Sequence, residues 1–180
     1  ALMGLASGLA LLAYPIGMCA RDLLYPPALD LTTDVASPPA ALEPLPQLAA
    51  GAPAPTAATT SDAGAARPIA ALLLDQTMDD SLTLALRAAG ISGWHVSTVA
   101  YPRPPLNEEA RFAATVPSFL IRWPSDAMVR LLQTEDGVSI DVRLIARQPW
   151  SLLHGSDADI SAYLDRVEAL ASGRPPHTGR

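Results

Sequence analysis

The sequence predicts an α+β protein: an N-terminal membrane helix, then a small domain of about four antiparallel strands packed with two helices. Three observations carry this expectation. Residues 1–20 contain no charged side chain, and Arg21-Asp22 closes the run. Two capping boxes, Thr77 with Asp80 and Ser156 with Asp159, each precede apolar residues at helical spacing. Between them lie alternating runs, two of which flank Asp136-Gly137, a two-residue hairpin signal.

The first element is the anchor. Twenty residues at about 1.5 Å rise reach about 30 Å, the thickness of a bilayer's hydrocarbon core. Lipid offers no partner to backbone polar groups, so such a run must be helical. It exceeds the usual signal-peptide core of about 7–15 apolar residues and ends in no small-x-small cleavage site. Ile16-Gly17-Met18-Cys19 has the outline of a lipobox, but Met18 stands where a small residue is needed. A retained helix, residues 1–22, is therefore preferred over lipidation at Cys19. Gly4, Gly8, Ala13 and Gly17 repeat the small-xxx-small spacing that lets helices approach closely in lipid. Pro15 removes one backbone donor and bends the last turn. Arg21 beside Asp22 gives no net charge bias, so the positive-inside rule does not set the topology.

Residues 23–67 form the arm and linker. Prolines at 26, 27, 38, 39, 44 and 46 fix φ and push each preceding residue extended, which excludes a helix. Residues 47–67 are an Ala/Pro/Thr/Gly stretch without apolar period, expected to be loosely extended and to add little to the core.

The α+β domain is expected over residues 68–172, with 173–180 as a tail. Met78, Leu82, Ala85, Leu86 and Ala89 share one face of the first helix, which Gly90 and Gly93 end. Residues 94–101 alternate as a strand, stopped by the prolines at 102–105. Residues 111–116 read as a second strand, and 128–134 and 138–146 as a hairpin. Ile160, Tyr163, Leu164, Val167 and Leu170 line the last helix, and Gly173 terminates it. Both helices are expected on one face of the sheet.

With Asp136-Gly137 as the turn, Leu131 faces Val142 and Val129 faces Leu144 on an apolar core face. The other face sets Arg130 directly opposite Arg143, with Asp141 diagonal and Arg147 further along. Like charges directly opposite repel, so an anion must sit between them. Asp141, aided by Asp126, supplies it as a surface ion-pair ladder. The competing reading is an anionic ligand or partner carboxylate held by the Arg130, Arg143 and Arg147 forks.

These residues also carry a resemblance. Residues 30–44 (DLTTDVASPPAALEP), the stretch LRAAGISGWHV and the hairpin SDAMVRLLQTEDGVSIDVRLIAR resemble the bacterial family catalogued as domain of unknown function 1499. Asp30, Thr33, Asp34, Pro38 and Pro39 fit its arm pattern. Asp126 and Arg130 fit its first strand pattern, and Asp141, Arg143 and Arg147 its second. Ser125, Leu144 and Ala146 depart from it. The resemblance implies membrane segments, a proline-marked arm and an antiparallel sheet with a helix. It implies no reaction.

Composition narrows the function further. A net charge of −6 and a pI near 4.9 disfavour nucleic acid and anionic lipid surfaces as partners. All 12 basic residues are Arg, which with the Ala and Pro content reflects coding bias of a GC-rich bacterium. The single Cys excludes an intrachain disulfide. Ser151, His154, Ser156 and Asp157 cluster in sequence, but sequence neighbours do not converge as a triad does, and Ser156 serves better as an N-cap. His95 and His177 lack ligand-like company, and no phosphate loop is present. No enzyme, metal or cofactor is expected. The reading is a non-catalytic accessory or assembly subunit of a larger bacterial membrane protein complex, single-pass in the inner membrane with a periplasmic domain. The alternative is a tethered module binding an anionic ligand on the Arg130/Arg143/Arg147 strand face.

Overall fold

The computed structural model describes residues 30–42, 55–62, 65–103, 108–117, 124–147 and 157–173. The anchor expectation, with Gly4, Gly8, Ala13, Gly17 and Cys19, lies outside them, as do residues 43–54, Ser156 and residues 174–180 of the tail. No helix among the described residues is long and apolar enough to cross a membrane.

The fold is α+β. Strands β1 (Asp30–Thr32), β2 (Thr56–Ala57), β3 (Thr59–Asp62), β4 (Ala65–Pro68) and β5 (Leu72–Leu74) precede helix α1 (Met78–Ile91). Strands β6 (His95–Ala100), β7 (Glu109–Val116), β8 (Ser125–Thr134) and β9 (Gly137–Ala146) follow, and helix α2 (Asp157–Ala171) closes the domain. The main sheet has seven strands in the order β2-β1-β9-β8-β7-β6, with β5 also on β9, while β3 and β4 form a separate hairpin. The sheet is mixed, because β1 and β2 run parallel.

Local chemistry explains α1. Thr77 is its N-cap: the hydroxyl accepts from the Asp80 backbone N–H at 3.2 Å and donates to the Asp80 carboxylate at 2.7 Å. Asp79 and Asp80 sit in the first turn, where the helix dipole favours negative charge. Past Ser92, Gly93 adopts φ 73°, which turns the chain into β6.

Leu82, Ala85 and Ala89 of α1 and Ile160, Tyr163 and Val167 of α2 share one core with Phe112, Val129, Leu131, Ile140, Val142 and Leu144 of the sheet. The strand residues alternate, so both helices cover one sheet face. Trp94 stacks on Tyr163 with ring centroids 4.4 Å apart. The Tyr163 hydroxyl donates to the Ala85 carbonyl at 3.2 Å, and burial pushes its phenol well above the usual range.

The arm and linker depart from expectation: both enter the fold. β1 pairs antiparallel with β9, placing Asp30 beside Ile145, Leu31 beside Leu144 and Thr32 beside Arg143. Leu31 is buried in the core, and Thr32 is fully buried. Ala58, expected in a loose linker, is also fully buried. Its N–H donates to the Thr32 carbonyl, and its own carbonyl accepts from Ile69. The Thr59 N–H reaches the Asp157 carboxylate at 2.6 Å. Backbone hydrogen bonds carry this region, so it shows no apolar period.

The hairpin register also differs. Glu135 and Asp136 form the turn, and Gly137 pairs with Thr134. Val129 therefore faces Val142, Leu131 faces Ile140, and Arg130 faces Asp141 rather than Arg143. The slip is two residues, and with a side-chain period of two every residue stays on its expected face. Gly137 is there for a different reason than turn formation. At φ 135° it lies under β5, and a Cβ would fall against the Leu74 carbonyl oxygen.

Candidate functional site

The helix-free face of the sheet carries the polar residues. Asp126, Met128 and Arg130 point from β8, Asp141, Arg143 and Ile145 from β9, and Asp30 and Thr32 from β1, as the pairing register requires. Charged groups on an open sheet face are normally wet. Here Asp30, Asp126 and Asp141 are buried, as are Met128 and Ile145. Arm residues 33–42 lie against this face through the contacts that follow.

Arg143 makes a bidentate fork on Asp30: Nε donates to Oδ1 at 2.9 Å and Nη2 to Oδ2 at 2.7 Å. Its Nη1 donates to the Pro39 carbonyl at 3.2 Å. The Asp30 side chain is 1% exposed and that of Arg143 13%. Arg130 holds two carboxylates with one nitrogen: Nη2 lies 2.8 Å from Asp34 Oδ2 and 3.0 Å from Asp141 Oδ2. Its Nη1 donates to the Ser37 hydroxyl at 3.2 Å. Its Nε is buried and has no partner among the described residues. Thr33 joins the arm to β9, since its hydroxyl accepts from the Val142 N–H at 3.0 Å and donates toward Asp141 at 3.3 Å. Arg147 forks onto Asp126, with a closest approach of 2.6 Å, and also donates to Thr115.

The electrostatics follow from this geometry. Backbone N–H groups of Ser37 and Ala36 donate to Asp34 Oδ1, each at 3.0 Å. The Ser37 N–H is the main cause holding the Asp34 carboxyl below the usual range; burial opposes it, and the Arg130 guanidinium reinforces it. Burial works against the charge on Arg130, but Asp141 and Asp34 outweigh it and raise its pKa. The Asp126 hydrogen bond raises that of Arg147. Four carboxylates (Asp30, Asp34, Asp126, Asp141) surround three guanidinium groups (Arg130, Arg143, Arg147), so the cluster nets −1. It is a clamp: two of its acids belong to the arm and its bases to the sheet.

Arg130, Asp141, Arg143 and Arg147 are thus brought together on one face, as the sequence led us to expect, but paired differently. Asp141 serves Arg130, while Arg143 takes Asp30, a residue 113 positions away. The expected ladder was exposed and the observed one is largely buried. The Arg pair directly opposed across strands is Arg130 with Arg111 of β7, and Arg111 is ion-paired with Glu109. Asp30 and Asp34 are the partners that reasoning on the hairpin alone missed. Their signal was two acids, spaced four apart, in an extended arm facing a surplus of Arg.

A cavity of about 160 Å³ lies beside the clamp, between Ala41 and Leu42 of the arm and Thr115, Asp126, Met128 and Arg147 of the sheet. No group of three or more His, Cys, Asp or Glu that could hold a metal ion is found among the described residues. No protein-family model, curated protein or solved structure matches this chain.

Proposed function

We propose that this chain is a membrane-anchored, non-catalytic accessory or assembly subunit of a larger bacterial membrane protein complex, with its α+β domain on the periplasmic side of the inner membrane. The observation that carries the reading is the clamp. Asp30 and Asp34 are ion-paired to the sheet by Arg143 and Arg130, and only nine residues separate Asp30 from the uncharged run 1–20. Ten Cα steps reach at most about 33–36 Å. An arm clamped at this point acts as a short strut. It positions a domain beside the bilayer, which suits holding a partner in register.

We also infer membership of the family catalogued as domain of unknown function 1499. Support comes from the resemblance-bearing residues themselves, which ion-pair on one face of the sheet: Arg130 with Asp34 and Asp141, Arg143 with Asp30, and Arg147 with Asp126. Residues spaced so far apart in sequence and paired on one sheet face make a pattern that chance similarity does not require.

Purification of the full chain from bacterial membranes in mild detergent tests the function. The expected result is a co-purifying set of membrane proteins at fixed stoichiometry, lost when residues 1–20 are replaced by a cleavable leader. Recovery of the chain alone, at its own mass, overturns the reading.

The second reading is an anionic ligand on the Arg strand face. It is favoured by one observation: the Arg147 side chain is 42% exposed and lines the cavity. Against it, all three guanidinium groups already hold carboxylates of this chain. Loss of a co-purifying anionic molecule from Arg147→Ala, with the protein partners retained, would reverse the ranking.

A further inference from the structure

The cavity of about 160 Å³ beside the clamp has a lining of mixed character. Ala113 and Met128, cross-strand neighbours on β7 and β8, line it from the sheet, and Ala41 and Leu42 of the arm line it from the facing side. The Arg143 Nη1 bond to the Pro39 carbonyl, at 3.2 Å, holds the arm just before Ala41. Thr115 and Arg147 add polar groups to the lining. An apolar cavity of about 150 Å³ holds one benzene, so this one admits an apolar group of about six carbons.

Arg147 is held in place with donors to spare. Its Nε and Nη2 bond Asp126, and Nη2 also donates to the Thr115 hydroxyl at 3.2 Å. Among the described residues its Nη1 has no hydrogen-bond partner, and the side chain is 42% exposed. A guanidinium is a rigid planar fork, so Nη1 is fixed once Nε and Nη2 are engaged. The Thr115 hydroxyl accepts from Arg147 and keeps its own hydrogen to donate. We propose that this cavity binds a monoanionic carboxylate joined to one apolar group. The apolar group lies among Leu42, Ala113 and Met128, and the carboxylate accepts from Arg147 Nη1 and the Thr115 hydroxyl.

Charge and shape select this ligand. Asp126 shares the same guanidinium, and the four carboxylates and three guanidinium groups of this face net −1. A phosphate, with its second charge, meets a repulsion there that a carboxylate largely avoids. A neutral apolar molecule fills the cavity but forgoes the charge-assisted bonds that Arg147 offers. Because Asp126 fixes the guanidinium beforehand, little side-chain freedom is lost on binding. The inference rests on the second reading, an anion on the Arg strand face, and deepens it by naming the ligand class. Two sources share this chemistry: a free aliphatic acid, and the C-terminal residue of a partner chain with an apolar side chain beside its α-carboxylate.

The test titrates the full chain, in a neutral maltoside detergent at constant ionic strength, with hexanoate, hexanamide, acetate and N-acetyl-leucine. The Met128 methyl NMR signal reports binding, and the melting temperature of each variant is read beside it. Hexanoate should shift the Met128 methyl saturably and bind at least about tenfold tighter than acetate, the gain from burying two methylenes. Hexanamide should leave the signal in place. Arg147→Gln should weaken hexanoate at least about tenfold, the scale of one lost charge-assisted hydrogen bond. Ala113→Leu fills the cavity and spares Arg147, so it should bring hexanoate down to the affinity of acetate with the melting temperature kept. Equal affinities for hexanoate and acetate, both lost in Arg147→Gln, overturn the cavity ligand and leave the anion reading standing. No binding of either overturns both. Hexanoate binding that Arg147→Gln leaves unchanged overturns the carboxylate assignment. Given hexanoate binding, N-acetyl-leucine separates the sources: the tighter ligand of the two marks a chain terminus or a free acid as the occupant.

Discussion

Replacing Asp30 by Ala removes one acid from the clamp and isolates the Arg143 guanidinium. The Asp30 side chain is 1% exposed and receives two charge-assisted hydrogen bonds, at 2.9 and 2.7 Å. After the change Arg143 keeps only the Pro39 carbonyl among the partners described. Breaking a buried ion pair by deleting one partner costs about 3–5 kcal/mol, because the other charge stays buried and uncompensated. The 13% exposure of the Arg143 side chain admits some water, so the lower end, about 3 kcal/mol, applies. An exposed pair would be worth only about 0–1 kcal/mol. In urea, with a slope of about 1–3 kcal/mol/M, the predicted loss moves the unfolding midpoint down by about 1–3 M. The assay is urea unfolding of the full chain, followed by tryptophan fluorescence, for Asp30→Ala, Arg143→Ala and the double variant. The coupling energy of this cycle should be about 2 kcal/mol or more, since the two side chains are in direct contact. A coupling below about 0.5 kcal/mol, within the usual error of additivity, would show that the arm is not held by this pair.

Three further outcomes are expected. The Asp34 carboxyl is held below its ordinary range in the fold, so its stabilisation is complete above about pH 4 and fades as the pH falls below that; between pH 7 and pH 3 the native chain should therefore lose more stability than Asp34→Asn, and equal losses would refute the assignment. Gly137→Ala puts a Cβ against the Leu74 carbonyl at φ 135° and should lower Tm by more than about 10 °C; a melting curve that overlays the native one would remove β5 from its place beside Gly137. Alkaline carbonate extraction of bacterial membranes should leave the chain in the pellet, and its release into the supernatant would rule out a spanning helix over residues 1–20.

Much of the fold was legible in the sequence because short-range chemistry dictates it. Thr77 caps α1 through contacts three residues away, and Gly93 turns the chain just past the end of that helix. Alternation along 111–116, 128–134 and 138–146 follows from the period of a strand, and it assigned Val129, Leu131, Val142 and Leu144 to the core face whatever the register. The same parity put Arg130, Asp141 and Arg143 together on the opposite face.

Tertiary structure alone decided which acid meets which base. A two-residue slip in the hairpin leaves every side chain on its face and so has no signature in hydropathy, yet it exchanges Arg143 for Asp141 opposite Arg130. Asp30 reaches Arg143 only because β1 lies beside β9, a pairing between segments 113 positions apart that no local pattern encodes. Ala58 is buried for the same kind of reason: its place depends on backbone bonds to Thr32 and Ile69, and backbone groups are alike at every residue. Sequence determines what repeats locally, namely period, caps and charge. Long-range pairing is set by the free energy of the assembled sheet, where one arm satisfies both an open edge of β9 and two half-buried guanidinium groups at once.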